Sequence, residues 1–96
     1  MAAFAVSSIE HDPRQSRFTA RVEGHVAELD YLQEANRLTI THTDVPQAIG
    51  GRGVAGALTR AALEYARARQ LKVVPACAYA AAFIQRHAEY SDLVAE

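Results

Sequence analysis

The chain has 96 residues, half of them hydrophobic, and a formal net charge of −1 at pH 7. This length predicts one domain, residues 1–96, with enough apolar side chains for a modest core. The nearly balanced charge disfavours a nucleic-acid surface, where a strong excess of Lys and Arg is typical. A single cysteine excludes an intramolecular disulfide framework and a cysteine-built metal cluster.

The sequence also bears on the cellular location. It contains no run of about 18 apolar residues, so no membrane-spanning helix is predicted. The first residues, MAAFAVSSIEHD, lack the basic region of a signal peptide and are expected to lead into the first strand. The expected location is therefore the cytoplasm.

The first half of the chain has the period-two pattern of antiparallel strands. A short apolar stretch at residues 4–9 precedes His11-Asp12-Pro13, which is expected to break the strand because proline lacks an N–H donor. Apolar and polar side chains then alternate in three further stretches, at residues 17–22, 26–31 and 38–43. The expected turns are Glu23-Gly24 and residues 34–36. We therefore predict a meander of three or four antiparallel strands.

The second half of the chain changes to helical spacing. Apolar residues three and four positions apart predict an amphipathic helix over residues 52–69, with Arg60 and Glu64 able to pair on its polar face. A short buried strand at residues 71–74 is closed by Pro75, and a second helix follows at residues 78–87. The order βββ(β)–α–β–α indicates an α+β fold, and the long helix allows the fourth and fifth strands to lie parallel.

The segment HTDVPQAIGGRGVAG, residues 42–56, joins the fourth strand to the long helix. Unpaired N–H groups and the helix dipole favour anions at a helix start, and glycines let a phosphate approach the backbone closely. Four glycines, at positions 50, 51, 53 and 56, exceed what helix capping needs. The segment therefore predicts a phosphate-binding loop, and a simple glycine-rich cap is the less favoured interpretation.

The loop matches the dinucleotide fingerprint G-x-G-x-x-G at residues 51–56, but we reject that interpretation. The fingerprint needs a glycine turn directly after a parallel strand and an acidic residue about 20 positions later. Here Pro46 and its neighbours separate the strand from the glycines, and Gln70, Leu71 and Lys72 occupy the position of the acid. The sequence also lacks the P-loop pattern of nucleoside triphosphatases.

At these residues the chain resembles the GNAT superfamily of N-acetyltransferases, whose acetyl-CoA loop follows R/Q-x-x-G-x-G/A. The resemblance is closest to a small single-domain branch and extends over residues 4–94. It rests on H-T-x-V-P at residues 42–46, K-V-V-P-x-C at 72–77 and H-x-x-Y at 87–90. One departure is Gly50, which occupies the position where the family commonly has Arg or Gln.

This resemblance implies an acetyl-CoA-dependent N-acyltransferase that transfers an acetyl group to an amine. It implies a compact fold with a mixed sheet, a long helix after the glycine loop and a C-terminal helix. The pantetheine arm would enter between the fourth and fifth strands, around Val45 and Val74, and Arg52 would assist the loop in holding the pyrophosphate. The implied cofactor-binding residues are Val45, Gly50, Gly51, Arg52, Gly53, Val54, Ala55 and Gly56.

Cys77 and His42 are the candidate catalytic residues. Cys77 lies between a strand and a helix, so it is expected near a helix N-terminus, where a thiolate is favoured and can accept an acetyl group or act as a base. A buried, inert cysteine is an equally open interpretation. His42 continues the face of Leu38 and Ile40, which favours a hydrogen-bonded core residue, with a general base beside the acyl group as the alternative.

The remaining features of the sequence do not identify the acceptor or a partner protein. His87 is expected to pack or to cap the last helix, and the spacing of the histidines does not match a zinc site. The alternative function is a non-catalytic module that keeps the CoA site, or only the fold, for contact with a partner protein. A DNA-reading helix-turn-helix is disfavoured by the acidic balance and the single long helix. The acceptor amine stays unidentified, and free sheet edges make a monomer or a homodimer plausible.

Overall fold

The computed structural model describes residues 9–95 and contains one five-stranded mixed sheet. The strands β1 to β5 are adjacent in chain order and span Ile9–Asp12, Arg17–Val22, His25–Glu34, Arg37–Asp44 and Lys72–Pro75. The first four pair antiparallel, and β5 pairs parallel with β4. The predicted α+β class and the predicted parallel pairing of the fourth and fifth strands are confirmed.

Two helices connect to this sheet. Helix α1, Val54–Ala68, joins β4 to β5, and helix α2, Ala78–Arg86, follows β5. A 3-10 turn at Gln47–Ile49 precedes α1, and a 3-10 segment at Ala88–Leu93, called the terminal segment below, follows α2. Neither helix in residues 9–95 combines the length and the apolar character needed to cross a membrane.

The hairpin between β2 and β3 has the predicted two-residue turn. Glu23 and Gly24 have φ values of 51° and 79°, and their neighbours Val22 and His25 pair directly. Positive φ at both central residues gives a turn whose twist matches that of the strands. Residues 4–8 of the predicted first strand lie outside the described part of the chain, and β1 continues to Asp12, past the break predicted at His11-Asp12-Pro13.

Both helices contribute to one buried cluster on a single face of the sheet. The strand residues of this cluster are Phe18, Ala20, Ala27, Leu29, Tyr31, Leu38, Ile40 and Val73. The helix α1 residues are Val54, Leu58, Ala62, Leu63 and Ala66, which recur at the predicted spacing of three and four. Burial of this apolar stripe holds α1 across the sheet and fixes the position of its first turn.

The opposite face of the sheet is polar and open among residues 9–95. Arg17 Nε lies 2.7 Å from Asp30 Oδ1 and 3.5 Å from Glu28 Oε1 on this face. Val26 and Leu32 are also on this side and are 37% and 58% exposed. The strands therefore alternate between buried apolar and exposed polar side chains, as expected for a sheet covered on one face.

The terminal segment is attached to α1 through the buried Tyr90. Its hydroxyl donates to Glu64 Oε2 at 2.6 Å and accepts from Arg60 Nη1 at 3.0 Å. Arg60 Nη1 also lies 3.5 Å from Glu89 Oε2. Arg60 and Glu64 are thus linked through Tyr90, whereas the sequence predicted a direct pair on a solvated face.

Further contacts fasten the end of the chain to β5. Arg67 pairs with Asp92 at 3.1 Å, and Lys72 Nζ donates to the Asp92 carbonyl at 2.9 Å. The Ala95 amide donates to the Val73 carbonyl at 2.8 Å on the outer edge of β5. The four-residue strand β5 is therefore hydrogen-bonded on both edges.

Candidate functional site

A groove of about 280 Å³ lies where β4 leads into α1. It is lined by all of the predicted cofactor residues except Arg52, together with Ile49 and Tyr79. The predicted residues in the lining are Val45, Gly50, Gly51, Gly53, Val54, Ala55 and Gly56. Ile49 is fully buried and anchors the connecting loop in the core. One stretch of sequence thus forms one continuous concave surface.

The start of α1 borders this groove with backbone groups that no side chain caps. Gly53 is the N-cap residue, and it and Gly51 have φ values of 79°, a left-handed conformation that side chains disfavour. The first turn of α1 contains no acidic residue and the N-cap has no side-chain hydrogen bond. The uncapped N–H groups and the helix dipole therefore make this end of the groove electropositive.

Neither Gly50 nor Gly56 has a positive φ value that would favour glycine. Gly50 has ordinary extended angles, φ −65° and ψ 153°, which any residue can adopt. A Cβ at Gly56 would lie 3.4 Å from the Tyr79 hydroxyl and 3.5 Å from the Phe83 ring. A methyl group here would therefore meet α2 at ordinary contact distances, and the missing side chain keeps the groove wider.

The Arg52 side chain pairs with a residue of the same chain, Glu23, and does not line the groove. Its Nη1 lies 2.6 Å from Oε2 of Glu23, in the turn between β2 and β3. This hydrogen bond and the arginine charge lower the pKa of Glu23 below its ordinary value. The pairing was not predicted, because nothing local in the sequence indicates that these two loops meet.

Strand β4 contains a β-bulge at Thr41. Tyr31 of β3 pairs with Ile40, whereas the preceding Asp30 pairs with His42. Thr41 is therefore an extra residue that has no counterpart on β3. Relative to unbroken alternation, such a residue places every later side chain of the strand on the opposite face.

The bulge decides where His42 and Thr43 point. Thr43 pairs with Leu29, which is fully buried on the core face, and His42 is exposed on the open face. The prediction that His42 shares the face of Leu38 and Ile40 is wrong, because it assumed unbroken alternation. A buried core histidine is thereby ruled out at this position.

Cys77 is the N-cap of α2, near the helix N-terminus as predicted from its place between a strand and a helix. Its side chain is half-buried. Its amide donates to the Ile40 carbonyl at 3.0 Å, and its Sγ lies 3.7 Å from Oγ1 of Thr43. Burial raises the pKa of the thiol, but the backbone N–H of Ala80, the Thr43 hydroxyl and further backbone groups outweigh burial. The pKa of Cys77 therefore lies below its ordinary value, which favours the reactive thiolate.

The strands β4 and β5 part next to Cys77. Their parallel pairing ends at Ile40 and Pro75, whereas β4 continues beside β3 as far as Asp44. Among residues 9–95, the last part of β4 therefore has no β5 partner. This opening between β4 and β5 begins after Ile40 and Pro75, and β4 leads on from it to Val45, which lines the groove.

Two residues of α2 complete the description of this region. His87 is the C-cap of α2, with Nδ1 2.8 Å from the Phe83 carbonyl and its ring stacked on Phe83 at 3.9 Å. The predicted capping role is confirmed. Tyr79, in the first turn of α2, is 38% exposed and lines the groove, whereas the sequence favoured packing in the core or in a pocket for this residue.

A separate cluster surrounds His11 near the other end of α1. His11 Nε2 lies 2.5 Å from the Tyr31 hydroxyl, and its ring stacks on Phe18 at 4.0 Å and meets the edge of Tyr65 at 4.6 Å. Burial and then the charge of Arg69 lower the pKa of His11. Neither His11 nor any other described residue belongs to a group of three or more His, Cys, Asp or Glu side chains placed to hold a metal ion.

One family model and several named proteins match the sequence of this chain. The model of the GCN5-related N-acetyl-transferase family matches residues 17–93. Protein NATD1 of Bos taurus and of Homo sapiens are each 35% identical to this chain, over 82% of this chain and 73% of theirs. Protein NATD1 of Danio rerio is 29% identical over 90% of this chain and 83% of its own.

A solved structure shares the fold. The solution NMR structure of a GCN5-like protein from Staphylococcus aureus matches with a TM-score of 0.72 at 29% sequence identity. The match covers 91% of this chain and 86% of that one. The similarity thus extends over the sheet, both helices and the groove between them.

Proposed function

Because the chain belongs to the GCN5-related N-acetyltransferase family, we propose that it is an acetyl-CoA-dependent N-acyltransferase acting on an amine. The observation that carries the proposal is the electropositive groove at the uncapped start of α1. Residues 1–96 would form one catalytic domain, since the sheet and both helices share one buried cluster. The resemblance seen in the sequence and the family match point to the same cofactor, acetyl-CoA.

The glycine loop would hold the pyrophosphate of acetyl-CoA. Gly51, Gly53 and the first turn of α1 line the groove, no side chain caps this helix start, and a helix start of this kind binds phosphate readily. Arg52 would leave Glu23 and contact a phosphate. Both partners of that pair are partly exposed, so their attraction is weak, whereas an arginine can bind phosphate in a bidentate manner.

The opening between β4 and β5 would hold the pantetheine arm. Beyond Ile40, β4 has no strand partner on the β5 side among residues 9–95, so part of its backbone could hydrogen-bond an extended chain. Val45 supplies an apolar contact where the opening meets the groove. This path would bring the thioester past Cys77, whose sulfur lies beside β4.

Catalysis would consist mainly of positioning an amine against the thioester and removing its proton. In a direct route, the amine nitrogen attacks the acetyl carbon and the bond to the CoA sulfur breaks. In a covalent route, the Cys77 thiolate attacks first, CoA leaves as a thiolate that takes up a proton, and the amine then displaces Cys77. A general-base role for His42 requires the amine to approach from the open face of the sheet, where His42 lies.

Thermal denaturation with added CoA tests the site. A ligand that binds only the native state raises Tm progressively with its concentration, so we expect a Tm that increases with CoA. Gly51→Ala and Gly24→Ala form a matched pair, because both glycines have φ of 79° and open space around a new Cβ. Each variant should cost about 1–2 kcal/mol of stability, and only Gly51→Ala should lose the response to CoA. A folded wild type without any shift at millimolar CoA contradicts the proposal.

Intact-mass measurement after incubation with acetyl-CoA separates the chemical routes. A gain of one acetyl group that is lost in Cys77→Ala supports the covalent route. An active Cys77→Ala together with an unmodified wild type supports direct attack by the amine. A CoA-dependent Tm shift without transfer to any of a panel of amines supports the alternative, a non-catalytic CoA-binding module.

A further inference from the structure

Thr43 contacts the Cys77 thiol only because β4 contains the bulge. If β4 alternated without interruption through Thr41, His42 would continue the core face and Thr43 would point to the open face. In the observed register, Thr43 Oγ1 lies 3.7 Å from Cys77 Sγ. The Cys77 amide is fixed at the same time by its bond to the Ile40 carbonyl, one residue before the bulge. Both ends of the cysteine are therefore held against the same part of β4.

A hydroxyl can form a hydrogen bond with a cysteine in either protonation state. The thiol S–H can donate to Thr43 Oγ1, and after loss of the proton the Thr43 hydroxyl can rotate and donate to the sulfur. The second arrangement is charge-assisted and is the stronger of the two. Thr43 is also the side chain that contributes to the lowered pKa of Cys77, and within residues 9–95 no other side chain does so.

We propose that Thr43 is the positioning residue of Cys77, holding the sulfur at the opening between β4 and β5 and stabilising its thiolate. Burial of the half-buried sulfur opposes ionisation, and the Thr43 hydroxyl joins the backbone groups of Ala80, Tyr79 and Thr43 in countering it. The use of this thiolate on acetyl-CoA rests on the proposed function. The stabilisation itself does not depend on CoA and can be measured without it.

Alkylation of Cys77 by iodoacetamide across a range of pH tests this role. The rate reports the thiolate fraction, and Cys77 is the single cysteine of the chain, so no other thiol interferes. Thr43→Val keeps the shape and removes the hydroxyl, and near pH 7 it should slow alkylation about tenfold, the usual effect of one hydrogen bond to a charged group. Thr43→Ser should restore the wild-type rate to within about twofold, because serine carries the same donor.

The form of the pH profile distinguishes thiolate stabilisation from a change in access. Loss of the donor moves the profile of Thr43→Val to higher pH, and the rates converge with wild type where both thiols are ionised. A profile that keeps its midpoint, or a Thr43→Ser variant as slow as Thr43→Val, overturns the proposal. If circular dichroism shows that Thr43→Val does not fold, the comparison of Thr43→Ala with Thr43→Ser decides in the same way.

The outcome is separable from that of the proposed function. If CoA fails to shift Tm while Thr43→Val still moves the alkylation profile, the acyltransferase proposal fails and the positioning role stands. If acetyl-CoA acetylates Cys77, the acetylation rate of Thr43→Val should fall by the same factor as its alkylation rate. Acetylation at the wild-type rate in Thr43→Val would contradict the role of Thr43.

Discussion

Arg52 is the residue at which the protein and a phosphate would compete most directly. In the structure its guanidinium is 2.6 Å from the Glu23 carboxylate, at the rim of the glycine loop. The same carboxylate would repel a phosphate placed in the groove. Glu23 therefore acts against the ligand twice, through its hold on Arg52 and through its own charge.

We expect opposite effects from substitutions at the two partners. Arg52→Ala should weaken CoA binding about tenfold, because one charge-assisted contact to phosphate is lost. Glu23→Gln should strengthen binding about two- to threefold, since the competing charge is removed. Isothermal titration calorimetry measures both. The interpretation fails if Glu23→Gln weakens CoA binding as Arg52→Ala does. It also fails if Arg52→Ala reduces the free energy of unfolding of the apo protein by as much as it reduces the free energy of CoA binding.

The residues of the candidate site differ in how well the sequence predicts them. Cys77 is placed correctly because its position depends on neighbours only, a proline that closes a strand and the start of a helix. His42 is placed on the wrong face because a bulge is a property of two paired strands. Alternation within one strand cannot reveal it, and neither can it reveal that Thr43 meets Cys77.

At the scale of single elements, Gly56 in the first turn of α1 is unfavourable for the helix but keeps the groove wide. A glycine in a helix costs about 1 kcal/mol relative to alanine. Gly56 lies in this turn, and a methyl group there would meet Tyr79 and Phe83 at 3.4 and 3.5 Å, which are ordinary contact distances. The helix alone would therefore accept alanine at this position. The groove, which Gly56 lines, would become narrower.

Gly56→Ala should stabilise the apo protein and impair CoA binding. The free energy of unfolding should increase by up to about 1 kcal/mol, measured by urea denaturation. The CoA-dependent Tm shift should become smaller because the methyl group occupies space at the phosphate end of the groove. A variant that is more stable and binds CoA as well as wild type would show that Gly56 has no contact with the ligand.

The helices and hairpins are the elements that the sequence predicts well. The spacing of apolar residues in α1 and the turn Glu23-Gly24 are local patterns, and both were identified within a few residues. The attachment of the terminal segment was not predicted, because Arg60 and Tyr90 are thirty positions apart. Long-range polar contacts of this kind leave no periodic pattern in the sequence.

At the scale of the whole molecule, His11 makes stability depend on pH. Burial and the charge of Arg69 lower the pKa of His11, whereas in the unfolded chain it has the ordinary value of about 6.5. The unfolded state therefore binds this proton more readily than the folded state. The stability contributed by His11 is complete above the unfolded pKa and is lost as pH falls from there through the folded pKa.

Urea denaturation at a series of pH values tests this expectation. Between about pH 7 and the folded pKa, the free energy of unfolding of wild type should fall as pH decreases. His11→Gln should remove part of this slope. His25→Gln is the matched control, because His25 is exposed and lies at the start of β3. A slope that is the same in His11→Gln as in wild type would contradict the role of His11.

The bulge in β4 depends on how this strand pairs with β3 rather than on the side chain of Thr41. Thr41 is exposed, and its hydroxyl bonds only to the Asp30 carbonyl at 3.2 Å among the contacts of residues 9–95. Many side chains could replace it while the later residues keep their places. Its deletion would let the His42–Asp30 pair follow directly on the Ile40–Tyr31 pair, so His42 and Thr43 would keep their present faces. Pairing of Thr41 itself with Asp30 would instead turn His42 to the core face, giving the cysteine an imidazole neighbour in place of a hydroxyl.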